Sequence, residues 1–138
     1  TRLEKEVKKH ERAVASVTII TDGYENASQE FTYHQIHQLI GRLKEQEGWN
    51  FTFMGANQDV TKVCLELNID VQNAQAWEFS NHGAKKAFES YRDGHTMFCA
   101  AMEDVDMCMC IDTPETERKS RYRQMQTKRS FFKRDDEK

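Results

Sequence analysis

The chain is short of the residues that break or bend backbones, with one proline and six glycines in 138 residues. That scarcity excludes a collagen-like repeat and a Pro-rich disordered chain. No long apolar run is present and the mean hydropathy is -0.86, which excludes a membrane-spanning helix. The sequence does not open with a basic start, an apolar stretch and a small-residue cleavage site. We therefore expect a cytoplasmic protein, with Cys64, Cys99, Cys108 and Cys110 reduced. Catalytic signatures are missing too. There is no G-x-S-x-G elbow, no catalytic cysteine motif, no G-x-x-x-x-G-K-[ST] and no G-x-G-x-x-G. Nucleophilic catalysis and phosphate-cradling loops thus have no support, and the expectation is a protein that is not an enzyme.

What is present is charge, unevenly placed. Residues 1–117 hold 11 basic and 20 acidic residues, a net of -9, and residues 118–138 hold 9 basic and 3 acidic, a net of +6. The formal total of -3 hides an acidic body and a basic tail. An acidic body is a poor platform for nucleic acid, whose phosphates require a positive surface. The tail suits either a solvated terminus or docking on an acidic protein surface, and its Tyr122, Phe131 and Phe132 do not decide between them.

The length permits one compact domain. A charged helix is expected over residues 2–14 from the weak stripe of Leu3, Val7, His10 and Val14. Val17–Thr21 is β-branched throughout, which suits a strand covered on both faces, and Asp22-Gly23 ends it. Thr32 and Gln35 form a capping box for a helix with the stripe Ile36, Leu39, Ile40 and Leu43, stopped at Gly48. Trp49–Met54 reads as a second strand. Val60, Val63, Cys64 and Leu67 give a second striped helix, capped by Asn57 or Asp59 and ended by Asn68. Trp77–Phe79 reads as a short third strand. A further helix, capped by Ser80 or Asn81, carries Ala84, Ala87, Phe88 and Tyr91 and stops at Gly94. Strands alternating with helices predict an α/β fold, a three-layer Rossmann-like parallel sheet. The expected division is an α/β domain over residues 1–94 and an extension over 95–138 with a basic, helical tail beginning at Thr113-Pro114. Three strands leave two open edges, so we expect a homo-oligomer.

Two pieces carry a family resemblance: V-T-I-I-T-D-G-Y-E-N-A-S from Val17, and G-W-N-F-T-F-M-G-A-N from Gly48. Over residues 10–92 the chain resembles a von Willebrand factor type A (vWA) domain of the bacterial kind, specifically its C-terminal half. The resemblance implies a doubly wound α/β fold that binds protein partners at the carboxyl ends of its strands. It also implies a metal-ion-dependent adhesion site, where an acidic group of the partner completes the shell of a divalent cation. The family's third metal loop is its T-D-G turn, which falls on Asp22, so the resemblance places Asp22 at the metal and Asp22, Gly23 and Glu25 at the ligand. The family's D-x-S-x-S motif is absent, which implies a reduced or partial site. One carboxylate leaves most of an octahedral Mg²⁺ shell to water, so Mg²⁺ is expected to bind weakly unless a partner completes the site. Asp22 also suits a plain Asp-Gly turn.

Other candidates read as structural. Met107-Cys108-Met109-Cys110, taken as a strand, puts its sulfur ligands on opposite faces and so makes a poor soft-metal site; a two-sided apolar strand or a packed linker is the expectation. His34 and His37 share a helix side away from the apolar stripe and should face solvent. The leading expectation is a non-enzymatic protein-binding module. The alternative is a metal-free structural or regulatory protein acting through oligomerisation and its basic tail.

Overall fold

A computed structural model describes residues 1–10, 12–22, 31–56, 59–78 and 80–132. Three strands, β1 (Ser16–Thr21), β2 (Asn50–Ala56) and β3 (Ala74–Trp77), form a parallel open sheet in the order β1-β2-β3. Ser16 pairs with Asn50 and Thr21 with Gly55 along β1 and β2, and Phe53 pairs with Ala74 along β2 and β3. Parallel neighbours need a crossover. Helix α2 (Tyr33–Glu47) makes the first, and α3 (Val60–Leu67) with a 3-10 turn at Val71–Asn73 makes the second. This is one βαβαβ unit of a Rossmann-like sheet. The third strand lies earlier than Trp77–Phe79, and Phe79 is outside the described residues.

The alternation of β2 separates two layers. Phe51 and Phe53 face α2 and α3, where Ile40, Leu43, Val63, Cys64 and Leu67 close the main core. Met54 faces the opposite side, where it meets Ala87 of α4 (Asn81–Met107) and the Phe131–Phe132 pair. That second face is partly polar. Thr52 donates to Thr18 at 2.8 Å, and Thr18 donates to the Tyr91 hydroxyl of α4 at 3.2 Å. All of β2 is buried, as a central strand covered on both faces should be.

Local chemistry sets the helix ends. Thr32 accepts from the Gln35 amide at 3.2 Å while Gln35 accepts from the Thr32 amide at 2.8 Å, the expected capping box. Gly48 (φ 68°) and Asn68 (φ 62°) are the left-handed stops of α2 and α3. Asp59 and Ser80 cap α3 and α4.

Three sequence expectations are corrected. The first helix, α1, covers only Arg2–Val7. Beyond it Arg12 takes a left-handed φ of 61° and donates to the Cys110 carbonyl, and the chain turns inward to bury Ala15. Helix α4 does not stop at Gly94 but runs to Met107. A Cβ at Gly94 would lie 2.4 Å from the Phe131 carbonyl oxygen, so this glycine serves a close approach rather than a stop. The residue-94 boundary therefore falls inside a continuous helix. Met107–Cys110 is a helix end and turn, not a strand, with Met109 buried beside Met102 and Tyr122.

Helix α5 (Glu115–Thr127) holds Arg118, Lys119, Arg121 and Arg123 of the basic tail and lies against the body. Lys119 pairs with Glu47, and Arg123 reaches Glu45 at 3.0 Å and Asp70 at 3.4 Å. Gln126 donates to the Gly48 carbonyl at 2.7 Å. Tyr122 is buried and donates to Asp106, and burial with that bond drives its phenol pKa upward. Docking on an acidic surface is thus satisfied within the chain. Burial also pushes the Lys44 ammonium below its ordinary pKa, against the pull of Asp70.

The thiols divide sharply. Burial raises Cys64 to about 11, whereas Cys99, Cys108 and Cys110 are exposed. A thiol-disulfide colour reagent at pH 8 should titrate three thiols quickly and the fourth only after denaturant is added. Four equally fast thiols would contradict the packing of α3.

Candidate ligand-binding rim

In a parallel sheet the strands all end on one side, and the chain leaves each strand there to enter the next helix. The rim so formed carries the carboxyl ends of β1, β2 and β3 and the amino ends of α2, α3 and α4. Open α/β sheets bind ligands outside the carboxyl ends of their strands, at the point where the strand order reverses; the described strands run in the order β1-β2-β3, without such a reversal. Asp22 follows the last residue of β1, in a bend, and is exposed. Its position therefore follows directly from the strand that precedes it. Gly23 and Glu25 lie outside the described residues.

The electrostatics of the rim are mixed. Three helix amino ends bring partial positive charge to it, though Thr32, Asp59 and Ser80 already accept from first-turn amides. Asp22, Asp59 and Glu78 add full negative charges to it. Among the described residues no group of three or more His, Cys, Asp or Glu side chains is placed to hold a metal ion. Among the described residues the donors near Asp22 therefore fall short of the about six oxygens that Mg²⁺ needs. What Asp22 offers is one exposed carboxylate.

The other sequence candidates are dispersed. His37 Nδ1 lies 3.1 Å from the Glu66 carbonyl oxygen, at the α2–α3 contact, and His34 is exposed. Met109 is buried while Met107, Cys108 and Cys110 are exposed, so the four sulfurs do not converge. No helix among the described residues is long and apolar enough to cross a membrane.

Sequence reasoning missed two features. One is the buried Asn73, which donates to Asn50 at 3.4 Å and to the Phe51 carbonyl at 3.3 Å, and accepts from the Phe131 amide at 3.3 Å. The other is a groove of about 940 Å³ beside β3, lined by Gln75, Trp77, Lys86, Asp93 and Arg129 among others. No sequence pattern announces either, because each joins segments far apart in the chain. A partial signal existed for α5, whose Lys119, Tyr122, Arg123 and Gln126 recur at i, i+3, i+4 and i+7. The stripe is mostly polar and so escapes a search for apolar periodicity.

No family model matches the chain, and no curated protein or solved structure is significantly similar to it.

Proposed function

We propose that the chain is a non-enzymatic protein-binding module resembling part of a vWA domain, with its ligand rim centred on Asp22. The observation that carries this reading is the exposed carboxylate at the carboxyl end of β1, the open-sheet position where ligands gather. Three helix amino ends on the same rim favour an acidic group on the incoming partner. Asp22, with Gly23 and Glu25 that follow it in sequence, would meet that partner, and Mg²⁺ would bridge the two acidic groups only when the partner supplies further oxygens. Self-association through an open sheet edge belongs to the same reading.

Titration calorimetry with Mg²⁺ tests the site. The expected result is weak binding heat that disappears in Asp22→Ala, with the melting temperature unchanged because the residue is exposed. Heat that persists in that variant would remove Asp22 from the site. Absence of heat in the parent chain would favour a metal-free structural role.

A further inference from the structure

Helix α4 carries a nucleophile and an imidazole side by side. Cys99 is exposed, and its Sγ lies 3.5 Å from Nε2 of His95, one helical turn earlier. The imidazole is held from its other side. Its ring stacks on Tyr91, with centroids 5.7 Å apart and an interplanar angle of 13°. Tyr91 is in turn fixed by the hydrogen bond that its hydroxyl accepts from Thr18 of β1, and by contact with the Phe131 ring. The order Thr18, Tyr91, His95, Cys99 therefore leads from the sheet to an exposed sulfur. A nucleophile beside an imidazole that a third group orients is the usual arrangement for activating it.

The second ring nitrogen decides how the pair works. His95 Nδ1 is buried and has no hydrogen-bond partner among the described residues. A proton on it would be a stranded donor, the kind of group that folded interiors avoid. That places the proton on Nε2, where it points at Cys99. His95 then donates to the sulfur instead of taking its proton. A hydrogen bond donated to the charged form of a group favours that form, and in cysteine chemistry the charged form is the nucleophile.

The other exposed thiols lack this device. Among the described residues no side-chain donor meets the sulfur of Cys108 or Cys110, and Arg12 reaches the carbonyl oxygen of Cys110, not its sulfur. Carboxylates do not separate the three. Glu103 stands one turn after Cys99, Asp104 one turn before Cys108, and Asp112 close after Cys110.

We propose that Cys99 is a modification site, the sulfur through which this chain first exchanges with small disulfides, and that His95 positions and activates it. Cys99 releases its proton to water, and its sulfur attacks one sulfur of the disulfide. The old S–S bond breaks, a new one joins Cys99 to half of the reagent, and the departing thiolate takes up a proton. Cys99 is oxidised to the mixed disulfide and the reagent is reduced to one free thiol. The inference is independent of Asp22 and of self-association.

Limiting cystamine, a small disulfide, added to the full chain at neutral pH tests it, with the products trapped in acid and mapped by mass spectrometry. The mixed disulfide is expected at Cys99 about fivefold or more faster than at Cys108 or Cys110. His95→Phe keeps a ring against Tyr91 and removes the nitrogen. It should bring Cys99 to within about twofold of the other two thiols, whose own rates stay unchanged. Cys64 is buried, so its continued lack of reaction shows that the variant is folded. The proposal is overturned if Cys108 or Cys110 matches Cys99 in the parent chain, a comparison that needs no variant, or if Cys99 keeps its lead in folded His95→Phe.

Discussion

Replacing Phe53 with alanine should cost the folded state about 3–5 kcal/mol. Phe53 is almost wholly buried at the middle of the central strand, paired with Ile19 of β1 and Ala74 of β3. Its ring belongs to the cluster of α2 and α3 side chains, so truncation removes apolar burial and leaves a cavity that a strand held on both edges cannot collapse. For a chain of this size such a loss should lower the melting temperature by roughly 10 °C or more. Ile20→Ala is the matched control, since Ile20 is half-exposed on β1 and its truncation should cost less than about 1 kcal/mol. Urea denaturation of both variants measures the difference. Equal losses would contradict the placement of β2 between two covered faces.

The second large effect is expected at Asn73. Its side chain joins β2 to the C-terminal segment through two donated bonds and one accepted bond, all in the buried interior. A further link runs from Asn50 to the Ser16 hydroxyl at 3.3 Å, so the bonds cross the amino-terminal end of the sheet from β1 to Phe131. Asn73→Ala strands the Phe131 amide and weakens both other contacts, for a loss of about 2–4 kcal/mol. Asn73→Asp keeps an acceptor for Phe131 but removes both donations and buries a charge, and should be no more stable than Asn73→Ala. Phe131 and Phe132 pack against Met54 and Ala87, so their release should also raise amide exchange along α4. A loss below about 0.5 kcal/mol would mean that the segment holds without this link.

The features legible in the sequence were those decided by neighbours in the chain. Thr32 with Gln35, Gly48 and Asn68 mark helix ends through side chains or φ values that act within a few residues. Strand β1 was readable from its β-branched run, and with it the location of Asp22, but β1 is an edge strand with no fully buried residue rather than one covered on both faces. What escaped depended on distant partners. Gly94 resembles a helix stop until Phe131 is seen against it. The acidic interruptions at Glu103, Asp104 and Asp106 look disruptive to an apolar pattern. The end of α4, however, buries only a narrow stripe, in which Met102 meets Tyr122 and Asp106 accepts from the Tyr122 hydroxyl. The basic tail reads as a solvated terminus by composition, yet Lys119 and Arg123 face Glu45, Glu47 and Asp70, carboxylates about fifty to eighty residues away in sequence. The candidate site divides in the same way. Its anchor at Asp22 follows from local pattern, whereas the β3 groove exists only once α4 has folded back over the sheet.

The central claim is that ligand recognition sits where β1 ends, at Asp22 on the carboxyl rim of a three-stranded parallel sheet. A Mg²⁺ titration followed through assigned backbone amide NMR signals tests it most directly. The account predicts shifts concentrated at Thr21, Asp22 and the neighbouring strand ends Gly55–Ala56, absent in Asp22→Ala. Shifts centred on Glu115 and Glu117 at the start of α5 or along the β3 groove, with the β1 rim unmoved, would contradict it.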